Sequence, residues 1–322
     1  MKPLIWIIDE EWSNYDIEEN LLRQNFPDCM IKHSKNNYHK DLNEFGQYAD
    51  AILCQIYVNI TNETIEALKN CKVISIYGGG YDRVDINAAK SKDIKVTFVP
   101  GYCVEDVSDY VIACIYYFNK QLNNTAFNSL EKGQWGAQAI THLNRRIKNS
   151  TLFIIGFGRI GRLVAKKANS LDLNVIVYDP YVSNNIIKEY NVKRVDLEVG
   201  LKNADYISIN TRYYEETKAL ISMKEFKLMK NTAIIINTSR GGVIVQDDLI
   251  QAVENGTIAG AALDVVENEP PKIGEGIFKC KNILVTPHIS YLSKESIEEL
   301  KIRAVNNVVK ALKGEQIEDL VK

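Results

Sequence analysis

Histidine is scarce in this 322-residue chain, which has only four. Its six cysteines (Cys29, Cys54, Cys71, Cys103, Cys114 and Cys280) are scattered through apolar stretches without a C-x-x-C pair. That pattern offers neither a zinc site nor a disulfide framework, so no metal is expected. The thiols read as reduced, mostly buried residues of a cytoplasmic protein. No apolar run approaches the roughly 20 residues of a membrane span. The longest candidate, Val107 to Phe118, is broken by Asp109 and suits a buried helix. Charge of neither sign dominates, with 39 Lys+Arg against 41 Asp+Glu. A nucleic-acid or membrane partner is therefore not expected. The opening MKPLIWIIDEEW turns acidic too early for a secretory signal. There is no short repeat and no low-complexity segment.

What is present is a rhythm. Strand-like runs at 3–9, 50–54, 72–77 and 94–99 alternate with stretches carrying apolar residues at helical spacing. This is the pattern of a parallel sheet covered on both faces. Near residue 100 it changes: GYCVEDVSDYVIACIYYFNKQLNN (101–124) reads as one long apolar helix, followed by a second helical stretch. A new series of strands begins at 150–156 and continues at 174–179, 206–210, 233–237, 259–264 and 282–286, before an amphipathic helix over 293–314. The expected fold is α/β, with two doubly wound parallel-sheet domains and a boundary near Cys103.

Three stretches carry chemistry. In FIIGFGRIGRLVAKKA, Gly156, Gly158 and Gly161 form G-x-G-x-x-G between an apolar strand and a helix. The first glycine permits a tight turn, the second lets backbone amides approach a pyrophosphate, and the third brings helix and strand together. A second strand then ends in Asp179, whose carboxylate suits ribose hydroxyls and would repel a 2′-phosphate, so NAD is expected rather than NADP. In AIIINTSRGGVIV, Arg240 follows a strand end, where it can clamp a carboxylate through two parallel N–H bonds or simply neutralise Asp247 or Asp248. In AGAALDVVENEPP, Asp264 ends a strand and Glu267 and Glu269 follow, as a functional or merely solvated acidic loop. NILVTPHISYLS delivers His288 after Thr286-Pro287, either as an ordinary histidine satisfied by a backbone carbonyl or as a proton carrier.

In this order, GFGRIG with VYDP, NTSRGG, GAALDVVENEPP and TPH resemble the NAD-dependent D-2-hydroxyacid dehydrogenases, a family that also includes the C-terminal-binding-protein corepressors. YGGGYDRVDINAAKSKDIKVTFVPGYCVEDVSD is similar to that family's substrate-domain segment. The resemblance implies a flavodoxin-like substrate domain of residues 1–102 and 289–322, with a Rossmann domain of residues 103–288 inserted into it. It also implies a homodimer formed through the nucleotide domains and the helix after Cys103. Its catalytic residues fall on Arg240, Glu269 and His288. Cofactor contacts fall on Gly156, Gly158, Arg159, Ile160, Gly161, Asp179, Thr211, Thr238, Arg240, Asp264 and His288. Backbone amides at Gly78 and Gly79, with Arg240, are assigned to the substrate carboxylate.

These residue types suit hydride exchange at C2 of a small 2-hydroxy or 2-oxo acid. Histidine can take or return the hydroxyl proton, a carboxylate beside it steadies the imidazolium, and arginine stabilises negative charge growing on the oxygen. There are departures: Arg212 stands where the family usually has proline, and Tyr291 follows the histidine in ISYLS. A phosphoglycerate-dehydrogenase-type regulatory extension is not expected. An NAD(H)-sensing binding protein of the corepressor type is the competing expectation, and oxidation of an inorganic acid on the same fold is a third.

Overall fold

Two parallel sheets organise the chain in a computed structural model that describes residues 2–122, 124–140 and 142–321. The first holds β1 (Leu4–Ile8), β2 (Met30–Ser34), β3 (Ala51–Gln55), β4 (Val73–Tyr77) and β5 (Lys95–Thr97), in the order β2-β1-β3-β4-β5. The second holds β6 (Thr151–Ile155), β7 (Asn174–Tyr178), β8 (Lys193–Arg194), β9 (Tyr206–Ile209), β10 (Ile234–Asn237), β11 (Gly260–Leu263) and β12 (Ile283–Val285), in the order β12-β11-β10-β9-β6-β7-β8. Both are doubly wound: the first has the flavodoxin-like order, and the second the Rossmann order extended by one strand.

The inner strands are apolar throughout because both of their faces are covered. On β1, Ile5 and Ile7 enter one core with Leu53, Val73, Leu300, Val305 and Val308, while Trp6 and Ile8 enter another with Ile52 and Ile74. The same alternation splits β6, with Phe153 and Ile155 on one face and Leu152 and Ile154 on the other.

The chain divides into Met1–Tyr102 with Ser293–Lys322, and Cys103–Leu292. The return to the first unit lies at Ser293, a few residues after the expected 289. Its physical reason is that Ile289 and Ser290 are bonded back into the second unit, to Asp264. The helix Lys294–Lys313 then opens on a Ser293 cap, with Ser296 bonding back, and closes on Gly314 at φ 74°. Inside the first unit, Lys301 of this helix meets the buried Glu18 at 3.3 Å and lies 4.3 Å above the Trp12 ring. Burial pushes the Glu18 carboxyl up, against the pull of Lys301. Ser75 on β4 also donates to the Ala304 carbonyl at 2.9 Å.

One long element ends earlier than expected. The helix read through residue 124 spans Val104–Asn119. Gln121 then turns left-handed at φ 51°, with Gln121 N–H donating to Phe118 and Leu122 N–H to Tyr117. This pair of bonds closes a helix, ordinarily with glycine in the left-handed place. Asn123, near the expected end, lies outside the described residues, and a separate helix covers Asn124–Glu131.

Gly200, in the helix Leu197–Asn203, tests the packing of the second unit. A Cβ there would lie 2.2 Å from Phe153, whose ring is fully buried. Alanine favours a helix by about 1 kcal/mol over glycine, but overpacking a core costs roughly 1–3 kcal/mol. Gly200→Ala should therefore lose up to about 2 kcal/mol net. Thermal denaturation measures it, and a raised Tm would show that the Phe153 ring yields without cost.

Candidate active site

The glycine turn sits at the point where the second sheet reverses its winding, since β6 is flanked by β7 and β9. Gly156 has φ 90°, and a Cβ there would meet the Asn210 carbonyl oxygen at 2.7 Å. A Cβ on Gly161 would press to 2.2 Å from the Gly156 carbonyl oxygen, so helix Arg159–Ser170 closes directly on the turn. Gly158, the cap of that helix, differs: a Cβ there meets nothing within 4 Å. The open approach to Gly158, the helix N-terminus and the Asp179 carboxylate together fit a dinucleotide. Asp179 is already tied to the turn, accepting from Phe157 N–H at 2.7 Å and from Tyr181 and Val182 N–H at 2.8 and 3.0 Å. A cavity of about 370 Å³ flanks the same helix, lined by Val104, Arg159, Arg162, Leu163, Lys166 and Tyr190.

Three neighbouring strands supply the other chemistry. Parallel pairing sets Asn237 beside Leu263 and Leu263 beside Val285, so the loops after β10, β11 and β12 leave one edge together. The loop after β10 carries Arg240. Its shape comes from the buried Asn237, whose Oδ1 accepts from Ser239 and whose Nδ2 donates to the Arg240 carbonyl. The Arg240 guanidinium donates to the Ser239 carbonyl at 2.9 Å. A Cβ on Gly241 would lie 1.9 Å from the Val266 carbonyl carbon, so only glycine lets this loop lie against the next.

The loop after β11 carries Glu269, and the loop after β12 carries His288. Glu269 Oε2 lies 3.1 Å from His288 Nδ1, while Oε1 accepts from the Val266 N–H at 3.1 Å. Both side chains are largely buried, 11% and 13% exposed. Burial alone would raise the Glu269 carboxyl. The His288 hydrogen bond and charge, the Val266 amide and Arg240 outweigh it and hold the group below its ordinary range. An ionised carboxylate only accepts, so the hydrogen between the two belongs to Nδ1, and Nε2 is the opposite ring nitrogen. Glu267 is exposed, and its backbone N–H is bonded to Gln246.

His288 has φ 54°, left-handed backbone that a residue other than glycine rarely adopts. Asp264, 1% exposed, brackets it: Oδ1 accepts from the Thr286 hydroxyl at 2.7 Å and Ile289 N–H at 2.8 Å, and Oδ2 from Ser290 N–H at 2.8 Å. Expected as a cofactor contact, Asp264 thus spends its carboxylate on the histidine loop. Tyr291 stands edge-on to the imidazole, with ring centroids 6.1 Å apart. Thr211, Thr238 and Ile160 are partly buried near the ends of β9 and β10 and at the start of helix Arg159–Ser170, and Arg212 is exposed. In the first unit, Gly78 is buried and commits its N–H to the Ile76 carbonyl at 3.0 Å, whereas Gly79 is exposed. Of the two glycines, Gly79 has the backbone more open to a ligand.

Sequence reading passed over Asn237, Gly241, Tyr110 and Thr286. The only local signals were an asparagine closing a strand before TSR and a threonine before PH.

Comparison with known proteins agrees with this architecture. The D-isomer specific 2-hydroxyacid dehydrogenase NAD binding domain matches residues 112–290. A glyoxylate reductase from Thermococcus litoralis is 35% identical over 278 residues, covering 84% of this chain and 83% of that one. A D-3-phosphoglycerate dehydrogenase from Archaeoglobus fulgidus is 33% identical over 272 residues, covering 84% of this chain and 51% of that one. The solved D-lactate dehydrogenase from Aquifex aeolicus, complexed with NAD and lactic acid, superposes with a TM-score of 0.88 at 27% identity over 99% of this chain and 98% of that one. The chain belongs to the D-isomer specific 2-hydroxyacid dehydrogenases and carries their NAD-binding domain.

Proposed function

We propose that the protein interconverts a small D-2-hydroxy acid and its 2-oxo acid with NAD(H), using His288 as acid and base. The Glu269–His288 contact carries this reading. A buried carboxylate held ionised against Nδ1 fixes the ring and leaves proton exchange with the substrate oxygen to Nε2. Arg240, from the neighbouring loop, binds the substrate carboxylate and stabilises charge on the reacting oxygen. When bound, NAD supplies the hydride chemistry itself. Gly156, Gly158, Arg159, Ile160 and Gly161 cradle its diphosphate, and Asp179, Thr211 and Thr238 bind other parts of it. The likeness to a glyoxylate reductase and a D-lactate dehydrogenase favours the enzyme over a corepressor-type sensor.

The working unit we infer is a homodimer in the cytoplasm. Leu122, Trp135 and Leu143, 57%, 80% and 93% exposed in the segment after helix Val104–Asn119, offer apolar surface for a second copy. The six free cysteines suit a reducing compartment.

The direct test is oxidation of NADH and NADPH across a panel of small 2-oxo acids. NADH turnover with at least one acid is expected, with NADPH much poorer because Asp179 faces its 2′-phosphate. Asp179→Ala should weaken NADH binding and narrow that preference. Tight NADH binding with no turnover anywhere would instead select the sensor.

Arg240→Lys keeps the charge but loses the planar double contact. Its kcat/KM should fall by ~30- to ~1000-fold, equivalent to roughly 2–4 kcal/mol, with NADH affinity little changed. Near-normal kcat/KM would return Arg240 to shaping its loop.

Glu269→Gln keeps a hydrogen bond but removes the charge that steadies the imidazolium. Reduction needs the protonated ring, so the alkaline limb of kcat/KM should move to lower pH, with activity surviving in acid. Stability gives a second reading. The folded Glu269 carboxyl lies below its ordinary 4.5, so its contribution is complete above that pH and drains as pH falls through the lowered value. The stability gap between wild type and variant should shrink over that acid window. An unmoved kinetic profile would break the pair.

A further inference from the structure

We propose that Tyr110 and Thr286 are positioning residues for His288, acting through the Asp264 carboxylate. This deepens the reading of His288 as proton carrier and rests on it. Tyr110 belongs to helix Val104–Asn119, far in sequence from the histidine loop, and its hydroxyl lies 2.6 Å from Thr286 Oγ1. The threonine has one hydroxyl hydrogen, and that hydrogen goes to Asp264 Oδ1 at 2.7 Å. The Tyr110–Thr286 contact must therefore be donated by the tyrosine. The result is a one-way chain, Tyr110 O–H to Thr286 O–H to carboxylate, in which each bond polarises the next.

The end of this chain is what sets the histidine. Asp264 holds the hydroxyl two residues before His288 and the amides one and two residues after it. His288 is thereby kept left-handed at φ 54°, in a conformation that persists only where its surroundings over-determine it. Asp264 is itself fixed, since its amide donates to the Asn237 carbonyl at 3.0 Å. Glu269 orients the imidazole ring, while Asp264 fixes the backbone from which the ring projects. The two constraints are separate.

Thr286→Val keeps the shape, removes the bond to Asp264 and takes from the Tyr110 hydroxyl its Thr286 partner. Tyr110→Phe removes only the first donor, and Thr286→Ser restores the whole chain. Three quantities distinguish the roles: kcat for 2-oxo acid reduction, NADH affinity by fluorescence, and hydrogen exchange at the Ile289 and Ser290 amides. For Thr286→Val, kcat should fall about 10- to 100-fold, as expected for a small misplacement of a reacting group. Exchange at both amides should rise at least about tenfold. NADH affinity should stay within about twofold. Tyr110→Phe should move the same way by less, and it carries the test should Thr286→Val fail to fold. Thr286→Ser should match wild type.

Unchanged kcat and exchange in Thr286→Val would overturn the proposal. A loss confined to NADH affinity would do so too, returning Asp264 to the cofactor. Should wild type reduce no 2-oxo acid, the catalytic reading fails by itself. Amide exchange then decides the clip alone, faster exchange upholding it and unchanged exchange ending it.

Discussion

Parallel pairing of β10, β11 and β12 is the constraint on which the candidate site depends. In a parallel sheet all strands end at one edge, so residues separated by dozens of positions become neighbours without any long-range recognition of their own. Asn237, Leu263 and Val285 stand side by side, and the loops bearing Arg240, Glu269 and His288 begin from that row. A slip of one residue at β12 would exchange what packs on its two faces, Ile283 and Val285 on one and Leu284 on the other, so the packing that stabilises the sheet also fixes where the histidine emerges.

Within that frame, the fine placement is electrostatic. Asp264 and Glu269 leave the same strand and divide the work on His288 between backbone and ring. Asn237 does for Arg240 what Asp264 does for His288, using an amide to shape the loop from its base. Short polar side chains at strand ends are suited to this, because they reach the backbone of their own loop, as Asn237 does, or of the loop beside it, as Asp264 does, without losing much rotamer freedom.

The legible parts of the sequence were those with local signatures. Inner strands show as apolar runs, the glycine turn shows as spaced glycines, and the candidate site residues follow strand ends. β2 escaped because it is an edge strand: Met30, Lys32 and His33 face solvent, so no hydrophobic run marks it. The end of helix Val104–Asn119 escaped because Gln121 occupies the turn usually marked by glycine. The choice between Glu267 and Glu269 rested on resemblance, since two carboxylates in one loop look alike until their neighbours are known. The hold of Asp264 on the histidine loop escaped for a related reason. A carboxylate at a strand end is equally placed for a ligand or for the chain, and the amides it holds lie about 25 residues away.

The helix Lys294–Lys313 is made after the whole of the second unit, yet Leu300, Ala304, Val305 and Val308 complete a core begun by Ile5 and Ile7. At a synthesis rate of about 5–20 residues per second, the intervening unit occupies the ribosome for on the order of ten to forty seconds. Throughout that interval this face of the first sheet is only partly covered, by Leu22 and Phe26 among others, and the buried Glu18 lacks its lysine. The inserted unit has all its strands and can close first. The order of translation thus makes the unit that holds the amino-terminal sheet the later of the two to mature.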